Sequence, residues 1–180
     1  MIQNLAKTFR RCARRVRRFR RARAAATAVE FALIAPAFLA TLLALLQTCV
    51  FVFAQMALQN AADEAGRYFM TGQAQNNGWS ASTVVNTVCP ATIFNCGNMI
   101  IIVQNYASFA SANTSAPQLY TDGVLNTNWA YNPGNPGEIM VVQLVYQWPV
   151  VSGPLGFMLA NLPNSAAEMM GVSAFRVEPY

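Results

Sequence analysis

From Phe31 to Ala54 the chain reads FALIAPAFLATLLALLQTCVFVFA, twenty-four residues without a formal charge. As a helix rising about 1.5 Å per residue this run is roughly 36 Å long, enough for a hydrocarbon core of about 30 Å. Buried helices of soluble cores rarely stay fully apolar beyond about 14 residues. The sequence therefore predicts one transmembrane helix over residues 26–54, and every other segment is placed by reference to it. Ahead of it, from Lys7 to Arg23, stand nine arginines and one lysine with no acid among them. Basic flanks are retained on the cytoplasmic side, which puts the amino terminus inside and the chain after Ala54 outside.

The formal charge of +5 belongs to the leader. Ten of the twelve basic residues lie within residues 1–25, leaving two against seven acids in the remainder. An arginine run also suits nucleic-acid phosphates, but directly before a span it reads as a topogenic flank attracted to anionic lipid, so no nucleic-acid partner is expected. The apolar run exceeds the roughly 7–15 residues of a secretory signal core. Of four cysteines, Cys12 lies in the leader and Cys49 in the span. Cys89 and Cys96 fall outside and are read as a disulfide, worth about 2.5 kcal/mol by loop closure. With no histidine in the chain, two thiolates do not complete a zinc site, and no metal or cofactor is expected. Nor is there a glycine-rich phosphate loop or a nucleophile beside a base; Ser111 and Ser165 read as turn residues, so no enzymatic activity is expected.

Past the span, Ala54, Ala57, Leu58, Ala61, Ala65, Tyr68 and Phe69 recur at helical spacing. Gln55, Gln59, Asn60, Asp63, Glu64 and Arg67 form the opposite face, with Asp63 and Arg67 as an i,i+4 pair worth about 0.3–0.5 kcal/mol. Gly72 ends the pattern, giving an amphipathic extension over 55–72 and one helix from Ala26 to Thr71, about 69 Å long. Its stripe is expected to pack on the outer domain and on neighbouring subunits. Within the span, Thr41, Gln47 and Thr48 are candidate interhelical hydrogen-bonders, or the threonines bond their own backbone. Ser80 or Ser82 caps a short helix through Val88. Strands are predicted at Met99–Tyr106, Glu138–Trp148 and Glu168–Val177, the middle one from its strict alternation and stopped by Pro149. Ala107–Pro136 reads mainly as loop, its Tyr120, Trp129 and Tyr131 half-buried against the sheet. Leu155–Leu162 reads as a short helix or turn. The expected fold is α+β: a long N-terminal transmembrane helix continuing into a small outer domain, residues 73–180, with an antiparallel sheet of about three strands.

Glu30 opens the apolar run, where an ionised carboxylate costs at least about 2–3 kcal/mol unless paired or at the interface. It is either a boundary residue reaching water or the nearby arginines, or the partner of a free amine. A cut between Ala25 and Ala26 would create an ammonium one helical turn before Glu30, within one chain or facing a neighbour's acid. An acid in the first turn also suits the helix dipole.

The segment Arg23–Pro36, RAAATAVEFALIAP, resembles the amino-terminal signature of TadE-like proteins, minor pseudopilins of tight-adherence (Flp) pilus systems. The shared pattern is a basic leader, a small residue, four residues, then Glu-Phe and an apolar run with proline. Ala57–Arg67 (ALQNAADEAGR), Gln143–Pro149 (QLVYQWP) and Phe175–Tyr180 (FRVEPY) are similar to later parts of the family. The resemblance implies processing between Ala25 and Ala26 by a membrane prepilin peptidase, with Glu30 as the fifth mature residue followed by Phe31. Ala25 stands where the family usually has glycine. Pro36 matches the family's proline and frees the carbonyl of Ala32. The implied setting is the bacterial inner membrane, crossed once, with the C-terminal domain periplasmic. The implied partners are other pilin-like subunits, pilus assembly membrane proteins and lipid. A signal-anchored periplasmic binding or adhesion domain outside any pilus is the alternative.

Overall fold

The computed structural model describes residues 23–150 and 159–179, with side chains from residue 27 onward. Most of the basic leader, part of the expected Leu155–Leu162 turn, and Tyr180 lie outside the described residues, as do the side chains of Ala25 and Ala26. The chain is α+β, a long apolar helix followed by a small domain with a three-stranded antiparallel sheet.

Helix α1, Arg23–Met70, runs 48 residues and carries Pro36 inside it. It stops where the backbone turns left-handed at Gly72 (φ 72°), a conformation glycine adopts without a Cβ penalty. Its last carbonyls are satisfied locally by Thr71 N–H to Arg67 O (3.1 Å) and Gly72 N–H to Phe69 O (3.2 Å). A distant donor, Glu178 N–H, reaches Met70 O at 2.9 Å. A single turn, α2 (Gln73–Asn76), leads to α3 (Ala81–Val88). Ser80, rather than Ser82, caps α3, its Oγ accepting from Thr83 N–H at 3.3 Å. Among the described residues five strands follow: β1 (Ile100–Tyr106), β2 (Tyr120–Thr121), β3 (Val124–Leu125), β4 (Ile139–Pro149) and β5 (Ala166–Arg176).

The main sheet has the order β1-β4-β5, antiparallel throughout, with Leu144 opposite both Ile101 and Gly171. Alternation in β4 sends Met140, Val142, Leu144 and Tyr146 to one face, where they meet Ile101, Val103, Met169 and the helix residues Leu58 and Phe69. The other face of β4 is covered as well: Val141, Gln143 and Val145 are buried. A second cluster of Ile102, Leu119 and Val145, flanked by Tyr120 and Trp129, lies there. The long connection from Ala107 to Pro136 is thus a lid on that second face rather than plain loop. Within it β2 and β3 pair as a hairpin, turning on Asp122 (φ 52°) and Gly123 (φ 78°). Two successive positive φ values match the twist of the strands they join, which is why Asp-Gly suits this turn. Tyr120, Trp129 and Tyr131 are each half-buried, but Tyr131 belongs to the helix side, its ring 6.1 Å from Phe69 and its hydroxyl donating to Trp79 O at 2.7 Å.

Two compact units divide the chain, the first containing α1 as far as Leu46 and the second containing α1 from Gln47 with the sheet and its connections.

Candidate functional site

The candidate site is α1 itself. In the first unit its large apolar side chains stay exposed, Phe31 at 73%, Leu33 at 75% and Ile34 at 67%, although Ala40 is buried. Exposed large apolar side chains in water are costly at about 25 cal/mol per Å², so this stretch requires an apolar surrounding. By length and composition the helix is able to cross a membrane. Glu30 is exposed one residue before Phe31. The Ala25–Ala26 bond lies in the first helical turn, and α1 continues through Pro36. Thr41 bonds its own backbone, Oγ1 donating to Ala37 O at 2.9 Å. Cys49 is a free, exposed thiol.

In the second unit the helix is one wall of the domain core. Ala54, Leu58, Ala61, Ala65 and Phe69 are buried, together with Ala62, which the spacing argument did not include; Ala57 and Tyr68 are half-buried. Small residues bring the helix close to β5. A Cβ on Gly171 would sit 2.6 Å from Leu58 O and 3.0 Å from Ala62 Cβ, and one on Gly66 would sit 2.6 Å from Ser173 Oγ. This stripe therefore rests on the chain's own sheet.

The face read as solvent-directed is divided. Gln55 Nε2 donates to Met170 O at 2.7 Å. Gln59 pairs with Val172 in both directions, Nε2 to Val172 O at 2.8 Å and Val172 N–H to Oε1 at 3.1 Å. β5 is an edge strand, and an unpaired edge is a template for unwanted pairing. Two glutamines one turn apart on α1 supply part of the missing strand. Only the remainder, Asn60, Asp63, Glu64 and Arg67, faces outward, lining with Tyr68, Thr71 and Gln73 a depression of about 410 Å³. Asp63 accepts from Gln59 at 3.2 Å rather than from Arg67, so the expected ion pair is replaced by a glutamine contact. Glu64 accepts from Tyr68 Oη at 3.3 Å, and the Tyr68 ring lies 5.2 Å from Trp79.

Cys89 and Cys96 form a disulfide, Cα atoms 5.8 Å apart. The loop they close carries Phe94 onto Tyr146 and Trp148, with ring centroids at 4.9 and 6.0 Å. Two carboxyls have shifted titration. The Asn135 N–H, then the Asn105 amide, hold Glu138 below the usual carboxylate range. Burial pushes Glu168 up, and its Oε1 is enclosed without a hydrogen-bond partner.

A chain of this kind is an α+β domain on a helix able to span a membrane. The TadE-like protein family matches residues 25–67, the stretch from the expected processing point through the outer part of α1. The match coincides with the densest part of the resemblance read from the sequence and is consistent with a role related to Tad pilus systems. No curated protein and no solved structure matches the chain.

Proposed function

We propose that this chain is a prepilin-like minor pseudopilin that takes part in assembling a tight-adherence pilus. It crosses the bacterial inner membrane once, with its basic end in the cytosol and its disulfide-bearing domain in the periplasm. The observation that carries this reading is the division of α1 within the matched segment. Its first half leaves its large apolar side chains exposed, suited to lipid or to similar helices, and its second half is fastened to one domain. The work is assembly rather than catalysis. Lateral packing uses the exposed apolar half, and pilus system components meet the outward face around Asn60, Asp63 and Arg67. In this reading a prepilin peptidase cuts between Ala25 and Ala26, and Glu30 neutralises the new amine.

The test pairs mass spectrometry of the purified chain with a Glu30→Ala variant. A mature start at Ala26, with pilus number reduced while the amount of protein in the membrane fraction is unchanged, is the expected result. Normal piliation by Glu30→Ala would refute the charge-pairing role. An intact leader with normal pili would point instead to an uncleaved anchor.

A further inference from the structure

The direction of the domain relative to the helix that carries it is fixed by contacts within the second unit. Gln55 holds Met170, Gln59 holds Val172, and Met70 O receives Glu178 N–H, so β5 runs parallel to α1 and β4 runs antiparallel. The sheet end bearing Trp148 and Pro149 therefore lies toward Gln47, where α1 enters this unit. Trp148 is opposite Ala167, three residues before Met170. Three strand residues are about 10 Å, equal to about seven residues of helix, so Trp148 lies level with about Thr48. That level falls within the outer end of the charge-free run, which continues to Ala54.

Charge follows the same axis. Eight charged residues follow the apolar run. Six of them, Asp63, Glu64, Arg67, Glu138, Arg176 and Glu178, sit at the end of the domain where α1 stops, β4 begins and β5 finishes. Toward the opposite end lie the other two, Glu168 opposite Gln147 and Asp122 in the hairpin whose Tyr120 hydroxyl bonds Gln147, while Trp148, Pro149 and Val150 leaving the sheet and Leu159, Leu162 and Ala166 re-entering it are uncharged. On α1 near this level Val50 is 54% exposed, and Phe53 and Met56, about 8 and 12 Å further along, are 63% and 61% exposed. A tryptophan with an apolar body and a polar N–H is the side chain most favoured where acyl chains meet head groups.

Building on the reading of α1 as a membrane span, we propose that the charge-poor end of the domain, centred on Trp148, Pro149 and Val150, rests in the head-group layer of the outer leaflet. The folded domain is then held against the bilayer, and lipid is a partner of the domain as well as of the helix. The exposed apolar collar of Phe53 and Met56 is covered by the same layer.

The chain has three tryptophans, Trp79, Trp129 and Trp148, which makes the depth measurable. The full chain is reconstituted into phosphatidylcholine–phosphatidylglycerol vesicles whose lipids are brominated either near the head group or near the chain end. With Trp79→Phe and Trp129→Phe, Trp148 alone reports; with Trp129→Phe and Trp148→Phe, Trp79, packed on Tyr68, reports from the far end, about 30 Å further along α1. Trp148 is expected to be quenched roughly twofold or more beyond Trp79, and more by shallow than by deep bromine. A third chain, with all three tryptophans replaced by Phe and Leu42→Trp added, reports on the span. Quenching of Leu42→Trp by deep bromine with Trp148 no more quenched than Trp79 overturns the proposal and leaves the span intact. No quenching of Leu42→Trp overturns both. Should the double Phe variants misfold, a nitroxide on Asn164→Cys in a background of Cys12→Ser and Cys49→Ser gives the same answer. Greater collision with oxygen than with a water-soluble nickel chelate supports the proposal, and the reverse overturns it.

Discussion

Gly171→Ala and Gly66→Ala place the same methyl group at the same helix–strand interface, and the structure assigns them different outcomes. At Gly171 the new Cβ meets a backbone carbonyl, Leu58 O, at 2.6 Å and Ala62 Cβ at 3.0 Å. Ordinary contact requires the helix backbone to retreat by roughly 0.8 Å, and it is held there by Gln55 and Gln59. Overpacking of this kind costs about 1–3 kcal/mol, offset by about 0.5–1 kcal/mol gained on removing a glycine from a strand. The expected net loss is about 1–2 kcal/mol. At Gly66 the contact is Ser173 Oγ at 2.6 Å, with Phe175 Cε1 and Ser173 Cβ both at 3.1 Å; the serine hydroxyl can rotate away, and the other two need give only about 0.3 Å. Replacing glycine by alanine inside a helix gains about 0.8–1 kcal/mol, so Gly66→Ala should be neutral or mildly stabilising. The assay is urea unfolding of the full chain in detergent, followed by near-ultraviolet circular dichroism, which senses domain packing and not the micelle-bound helix. A Gly171→Ala chain as stable as the parent, or a Gly66→Ala chain less stable than Gly171→Ala, would refute the close-approach argument.

Gln59→Leu leaves Val172 N–H and C=O without the helix partner and should cost about 1–3 kcal/mol, with faster aggregation by light scattering than Asn60→Leu on the outward face. Cys89→Ser with Cys96→Ser should lower stability by about 2.5 kcal/mol, and alkylation of the parent without reductant should leave both cysteines unlabelled. Glu168→Gln tests the enclosed carboxyl. Its folded titration lies above the unfolded value, so the folded chain holds the extra proton and stability falls as pH rises from the ordinary carboxylate range toward the raised one. The variant should therefore unfold at a higher temperature than the parent near neutrality, and the gap should close at about pH 4; a gap independent of pH would argue against the burial effect. Glu138 runs the other way: its lowered titration gives stability present above the ordinary range and lost as pH falls through the folded value. Glu138→Gln should accordingly be less stable than the parent near neutrality and converge with it in acid.

Much of this architecture is legible in local pattern. A charge-free run long enough for a bilayer, strict alternation in Met140–Trp148, and two cysteines seven positions apart each carry their own signal. The observed strands differ from expectation by one or two residues at their ends, as at Ala166 against Glu168. What escaped depends on strand order. Gln55 and Gln59 look like solvated polar residues until β5 is known to be an edge, and Asp63–Arg67 looks paired until Gln59 is seen to occupy Asp63. The hairpin is a different kind of miss, since Asp122-Gly123 between Tyr120 and Leu125 is a turn signal readable from the sequence. Leu119 and the cover it forms over Val145 were hidden in a stretch whose serines, asparagines and prolines outweigh its few apolar residues.

The bonds from Gln55 to Met170 and from Gln59 to Val172 join residues 115 and 113 positions apart. During synthesis at about 5–20 residues per second, roughly 6–20 s separate the two partners. For that interval the inner side of the helix arm, with Leu58 and Phe69, has emerged without the strand that will cover it. A cell making this protein must shelter that surface with lipid or a chaperone, and the domain cannot mature from its front end backward.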